Sequence, residues 1–196
     1  MIALLLDSSN ANLSVGLAKD HSIIDFVHYD AWQRQSELMV SEIDNLLKKN
    51  GLTRLDIGEV IASKGPGSYT GVRIALTIGK VIACSLDIPL YLVSSLEAMR
   101  LPNGLSVCVS NARSKRSYIA IFDGDDTIVA DTIWTNEETL RYFDEHPEAH
   151  LCGETSHLGR DSENANPLNW LKECDGEAYR VQDPRGAKPV YLKDNG

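Results

Sequence analysis

The chain has 196 residues, 43% apolar and 24% charged, which fits one or two globular domains with a sound core. Its formal net charge of −9 is set unevenly, with 9 Lys/Arg against 11 Asp/Glu in residues 1–100 and 10 against 17 in residues 101–196. That balance argues against direct nucleic-acid binding, because phosphate-backbone affinity comes mainly from neutralising cations. Four widely spaced cysteines (Cys84, Cys108, Cys152 and Cys174) form no Cys-x-x-Cys pair, so reduced buried thiols are expected rather than a zinc ribbon or redox pair. With no charged leader and no run of 18 uninterrupted apolar residues, a cytosolic protein without a transmembrane helix is expected.

Met1–Leu6 is a continuous apolar run suited to a buried strand and ends at Asp7-Ser8-Ser9-Asn10. Ala11–Ala18 alternates and turns at Lys19-Asp20, and Ile23–Tyr29 follows, which together predict an antiparallel meander. Ser36 to about Asn50 reads as a helix with Met39, Ile43, Leu46 and Leu47 as its apolar stripe, Lys48-Lys49 complementing the dipole and Gly51 as the residue after the cap. Val60–Ser63 is a short strand feeding Gly65–Gly71, Gly-Pro-Gly-Ser-Tyr-Thr-Gly, whose composition predicts a tight turn. Thr70 is the expected N-cap of the apolar helix Val72–Leu86. Ile74, Ile78, Val81, Ile82 and Ser85 share one face of it and Val72, Leu76, Gly79 and Ala83 another, so it lacks a fully solvated side.

Ile88–Val93 is strand-like, and Ser94 or Ser95 caps a short helix through Arg100. Leu101-Pro102-Asn103-Gly104 is the expected boundary, dividing residues 1–100 from a smaller unit, 101–196. Leu105–Ser110, Ser117–Phe122 and Thr127–Trp134 repeat the order of the opening meander without a sequence repeat, suggesting a duplicated architecture. A helix Glu137–Glu145, capped by Thr135 or Asn136 and stopped by Pro147, then a strand at His150–Gly153, complete the regular elements. Ser156–Asn169 reads as a loop and the tail from Gly186 to Leu192 as extended.

A glycine turn entering a helix suits a phosphate, a protein contact or a purely structural bend. Gly65–Gly71 misses the Walker pattern, since Gly71 is followed by Val72-Arg73, and misses the Gly-x-Ser-x-Gly elbow at its last position. Asp7-Ser8-Ser9 stands where an actin-like first hairpin would wrap phosphates, but it is also a routine turn sequence. The five histidines (His21, His28, His146, His150, His157) are scattered; His146 and His150 have helical spacing but flank Pro147, so no metal site is expected. Arg73, the one cation in the first turn of the second helix, is open to an anion, an acidic partner or a carboxylate such as Asp7. Leu38 and Val40 lie outside the main stripe of the first helix, so both helices carry surplus apolar surface, for a partner's helices or for the chain's own second domain.

Several stretches together resemble the TsaB (YeaZ) family of bacterial tRNA-modification proteins over nearly the whole chain. They are Leu4-Leu5-Leu6-Asp7-Ser8-Ser9, Gln35-Ser36-Glu37-Leu38, Ser63 through Ile74, Asn111-Ala112-Arg113 and Pro189-Val190-Tyr191-Leu192. The Gly-Pro-Gly-Ser-Tyr-Thr-Gly-x-Arg block is the specific one. The resemblance implies an α/β, actin-like ATPase (ASKHA, ribonuclease H-like) fold of two related domains, the second reduced. It implies a non-catalytic part in forming N6-threonylcarbamoyladenosine at position 37 of tRNAs reading ANN codons. The paralogue TsaD carries the metal and transfers the group from threonylcarbamoyl-AMP, the ATPase TsaE joins, and tRNA is met only through the complex. The helices matching Ser36–Asn50 and Thr70–Leu86 form the surface facing TsaD, or a second copy in a homodimer. The chain departs from the family at Gln35, where a His is usual, and at Asn111, where an Asp is usual. The short segment after Leu192 implies that a C-terminal helix of some relatives is missing.

On this reading the partner-facing residues are Ser36, Leu38, Met39, Val40 and Ile43 on the first helix, and Tyr69, Thr70, Val72, Arg73, Leu76 and Lys80 on the second. Leu76→Glu or Met39→Glu is expected to abolish association while leaving the monomer folded. A vestigial ATP or ADP site would draw on Asp7, Ser8, Ser9, Gly65, Gly67, Ser68 and Asn111, with no other cofactor and no metal. The alternative is a small ATP-dependent phosphotransferase or ATPase of the actin-like class, and a metallopeptidase ranks third because the paired His is missing.

Overall fold

The apolar runs and alternating segments assemble into two sheets in a computed structural model that describes residues 1–192. The expectation of a missing helix beyond Leu192 lies outside the described residues. In the first sheet β1 (Ile2–Asp7), β2 (Asn12–Lys19) and β3 (Ser22–Asp30) form the antiparallel meander. β4 (Ile57–Ser63) runs parallel to β1 and β5 (Leu90–Val93) parallel to β4, giving the order β3-β2-β1-β4-β5. β1 is central and buried on both faces along its whole length, which is why its sequence is a continuous apolar run rather than an alternation.

The second sheet, β6 (Leu105–Arg113), β7 (Arg116–Asp123), β8 (Asp126–Thr135) and β9 (His150–Gly153), has the order β8-β7-β6-β9. β6 takes the place of β1, pairing antiparallel with β7 and parallel with β9, and no counterpart of β5 occurs among the described residues. The α/β fold is thus two related halves, the second reduced. We propose residues 1–100 and 101–196 as its two domains.

α1 (Gln35–Lys49) and α2 (Tyr69–Leu86) cover one face of the first sheet. Met39, Ile43, Leu46 and Leu47 of α1, with Ala75, Leu76 and Ala83 of α2, close over Leu4, Leu6, Leu13 and Val60. Each of the larger side chains (Leu, Ile, Met and Val) contributes about 1.5–3 kcal/mol by leaving water. α3 (Asn136–Glu145) lies on the second sheet and opens with a capping box in which Thr135 and Glu138 bond each other's backbone N–H.

α4 (Leu168–Leu171) starts within the stretch 156–169 that reads as a loop and runs two residues past it. Leu168 and Leu171 are fully buried against Ala3, Leu5 and Ile61 on the far face of the first sheet, so tertiary burial, not local pattern, makes this element. Between the sheets sits the one-turn segment Glu97–Met99: Ala98 joins the first sheet's far core, while Leu96 and Met99 pack with Cys108, Phe122 and Cys152. The tail then returns, with Val181 N–H donating to Leu90 O at 2.9 Å along the β5 edge.

Three details differ from the sequence reading. Ser68, not Thr70, caps α2: its hydroxyl accepts the Gly71 N–H at 3.3 Å, whereas Thr70 already lies inside the first turn. α2 has one buried stripe (Val72, Ala75, Leu76, Gly79, Ala83), with Ile74, Ile78 and Ile82 at its edge and Val81 and Ser85 exposed. By length and composition α2 is long and apolar enough to cross a membrane, the one such helix among the described residues; here its stripe lies on the sheet. Cys84 is exposed on this helix, while Cys108, Cys152 and Cys174 are buried as expected.

Candidate functional site: a filled glycine turn beside an open groove

The Gly65–Gly71 turn meets the β1–β2 turn backbone to backbone. A Cβ on Gly71 would lie 2.0 Å from Ser8 O and one on Gly67 2.3 Å from Ser9 O, so no other residue permits this approach. Ser68 N–H donates to Ser9 O at 2.7 Å, and the Ser8 hydroxyl donates to Gly71 O at 2.7 Å. On the other side Gly65 N–H donates to Ser95 Oγ at 3.0 Å and Ser95 N–H to Gly65 O at 2.9 Å. The structure therefore gathers Ser8, Ser9, Gly65, Gly67 and Ser68, but as a packed joint. The chain's own backbone fills the space and takes donors that a phosphate at this turn would need, so the turn does not fit a nucleotide.

Asp7 sits behind this joint with no exposed surface. Ser9 N–H reaches its Oδ2 at 3.3 Å, and its Oδ1 has no partner. Burial pushes its carboxyl above the usual range, opposed by Ser63, Ser9 and, more weakly, His28. The strand register places Ser14 between Asp7 and His28, and the Ser14 hydroxyl bonds His28 Nδ1 at 2.9 Å. Burial holds the half-buried His28 ring below its ordinary pKa, with Asp7 opposing. A carboxyl so enclosed reaches neither solvent nor a phosphate.

Gln35 is buried, and its amide donates to Asn10 O at 3.1 Å and Ala11 O at 3.2 Å, tying the same hairpin to α1. The position where the family usually has a His thus braces the turn. Among the described residues no group of three His, Cys, Asp or Glu side chains is placed to hold a metal ion. Asn111 is not part of the joint. It is exposed on β6, its N–H donates to Glu154 at 3.1 Å and its Oδ1 accepts from Arg113 N–H at 2.8 Å.

Beside the joint, α1 and α2 diverge to leave an open groove of about 470 Å³. Ser36 and Val40 line one wall, and Tyr69, Thr70, Arg73, Ile74, Thr77 and Ile78 the other. Val40 is 58% and Tyr69 59% exposed. Leu38 is half-buried on the core, and Lys80 is engaged, its Nζ donating to Ala187 O at 2.8 Å.

Met39, Ile43, Val72 and Leu76 are not surface residues. They point into the chain's own core, at 0%, 7%, 0% and 2% exposure, because they belong to the stripes that the sheet requires. Met39→Glu and Leu76→Glu would therefore break the fold rather than spare it.

Arg73 does not pair with Asp7. Its guanidinium lies 3.9 Å from the Tyr69 ring centroid and 5.6 Å from that of Tyr191, and its Nε donates to Tyr191 Oη at 2.5 Å. The two tyrosine rings stack at 5.1 Å. Val190 N–H donates to Lys64 O at 2.7 Å and holds the tail in place. Sequence reasoning singled out Pro189-Val190-Tyr191-Leu192 as part of the family resemblance but missed Tyr191 as a neighbour of α2.

A family profile described as TsaD, tRNA N6-adenosine threonylcarbamoyltransferase, matches residues 29–145. The tRNA threonylcarbamoyladenosine biosynthesis protein TsaB of Bacillus subtilis (strain 168) is 34% identical over 127 residues, 62% of this chain and 55% of that protein. The match thus spans little more than half of that relative's length. The protein of the same name from Escherichia coli (strain K12) is 28% identical over 232 aligned residues, covering 100% of this chain and 96% of its own. The structure of YeaZ from Pseudomonas aeruginosa, 19% identical, superposes with a TM-score of 0.77 over 97% of this chain and 99% of that one, which shows a shared fold. The chain belongs to the family this profile describes, in its TsaB (YeaZ) branch.

Proposed function

We propose that this chain is a non-catalytic scaffold and activator subunit in forming the threonylcarbamoyl group on adenosine 37 of tRNAs reading ANN codons, acting through TsaD with TsaE. The observation that carries the reading is the contrast at one corner of the molecule: the phosphate-type turn is filled by the chain's own hairpin, while the helix it launches leaves an apolar groove open beside α1. The groove residues Ser36, Val40, Tyr69, Thr70 and Arg73 meet TsaD in a heterodimer, or a second copy when the chain is alone. With a net charge of −9 the chain meets tRNA only through the complex, in the cytoplasm.

Reconstitution tests this. TsaD with TsaE, tRNA and threonylcarbamoyl-AMP should modify tRNA only when this chain is added, and full activity without it would overturn the reading. Titration of the isolated chain with ATP and magnesium should give no binding heat; tight binding with turnover would favour an actin-like ATPase instead.

A further inference from the structure

Of the eight residues that line the α1–α2 groove, Arg73 alone is charged. It has no carboxylate partner among the described residues; what holds it is aromatic, the Tyr69 face on one side and the Tyr191 hydroxyl and ring on the other. A solvent-exposed arginine ordinarily loses rotamer entropy when a partner fixes it. Here that cost is met before any partner arrives, because the tail clamps the guanidinium at the rim of an apolar groove. The clamp depends on the tail's own anchors, Val190 N–H on Lys64 O and Lys80 Nζ on Ala187 O, which hold Tyr191 over α2.

We propose that Tyr69, Arg73 and Tyr191 form a preorganised carboxylate anchor at the groove rim, assembled by the docked tail, and that the helix filling the groove carries an Asp or Glu that binds there. The occupant is the TsaD-type partner, so the inference rests on the pairing proposed above and names the chemistry of the contact. Charge complementarity supports a carboxylate: an unpaired cation in an apolar surround selects an anionic group and disfavours a cationic or plain apolar one. A second copy of this acidic chain would meet net repulsion. Arg73 and Tyr69 touch the partner, and Tyr191 acts through them as a positioning residue.

Calorimetric titration of the chain with purified TsaD, repeated over a range of salt concentrations, tests the anchor. Wild-type binding should weaken as salt rises. Arg73→Ala should lose about 10-fold in affinity or more and flatten that salt dependence. Arg73→Lys should lose nearly as much, since an ammonium neither stacks nor forks. Tyr191→Ala should lose about 3- to 10-fold and Tyr191→Phe less, because the ring still stacks. Both positions are exposed, so circular dichroism should show an unchanged fold in all four variants. If wild type fails to bind TsaD at all, the pairing itself fails. If wild type binds and the variants match it in affinity and salt slope, the anchor is wrong and the pairing stands. A loss in Arg73→Ala that keeps the wild-type salt slope would overturn the carboxylate. Variants that lose only self-association would overturn TsaD as the occupant in favour of a second copy.

Discussion

The two halves meet one structural problem, joining the first hairpin to the end of the parallel strand beside it, and resolve it differently. In the first half the joint is backbone on backbone: Gly67 and Gly71 lie on Ser9 O and Ser8 O, and Asp7, Ser8 and Ser9 are sealed beneath. In the second half Gly153 again lies on a strand carbonyl, where a Cβ would be 2.2 Å from Val109 O. There one backbone bond, Glu154 N–H to Val109 O at 2.9 Å, is reinforced by the Glu154 side chain, which accepts from Ser110 Oγ and Asn111 N–H at 3.1 Å each. The β6–β7 turn stays open, with Arg113, Ser114 and Lys115 all at positive φ. A joint made by backbone launches an 18-residue helix at a fixed angle and creates a groove beside α1. The second joint, which relies on one side chain for the rest of its link, launches only the short turn Ser156–Leu158. The open groove between two helices therefore belongs to the first half.

The largest test of this contrast lies in adjacent residues of α1. Met39→Glu places a carboxylate in the fully buried core of the first half and should cost several kcal/mol, enough to unfold much of the chain in a urea melt. Val40→Glu, one residue on and in the groove, should change stability by no more than about 0.5 kcal/mol. It should nevertheless weaken TsaD binding about 100-fold, as for a central contact. Equal melts for the two variants would mean that α1 is rotated from the orientation described. Next comes Gly71→Ala, whose methyl group would meet Ser8 O. It should cost about 1–3 kcal/mol by denaturant titration, since backbone rather than a side chain must yield. A neutral result would show that the joint is looser than its distances.

The difference between Met39 and Val40 also marks where the sequence stops being legible. The meander, the α1 stripe and the turn before α2 were readable because a strong period or a glycine-proline cluster fixes them locally. Which apolar stripe meets the chain's own sheet and which stays open depends on a rotation of about 100° per residue about the helix axis, relative to a sheet the sequence does not display. α4 was unreadable because four residues carry no period; its two leucines matter only once β1 lies beneath them. The Arg73–Tyr191 contact joins residues 118 apart, beyond any local signal.

A smaller effect concerns Asp7. Its carboxyl is raised by burial, so the folded state keeps its proton to higher pH than the unfolded chain. The contribution of Asp7 to stability is thus fully present below the unfolded carboxyl pKa and is lost as pH rises through the raised folded value. Asp7→Asn keeps a neutral group of the same shape. It should stabilise the chain at neutral pH, by about 1.4 kcal/mol for each pH unit by which the folded titration is displaced. The gain should vanish in acid. Melts across pH that run parallel for the two proteins would show that Asp7 is not enclosed.

The mirror change in the second half should do almost nothing, and that is what makes it informative. Asn111→Asp restores the carboxylate usual in the family, at an exposed position on the open hairpin. An Asp keeps the acceptor that Arg113 N–H uses, and adds a charge near the Glu154 carboxylate already bonded to the Asn111 N–H. Like charges at a solvated surface cost about 0.5 kcal/mol or less and are screened by salt. The variant should melt within that margin of wild type, with the difference shrinking as salt is added or as either carboxylate is protonated. Nor should it gain heat on titration with ATP and magnesium, because the obstruction lies in the other half, where Ser8 and Ser9 occupy the glycine turn. If this one added carboxylate produced nucleotide binding, the filled joint would be able to open, and the functional asymmetry between the halves would rest on a single side chain instead of on backbone packing.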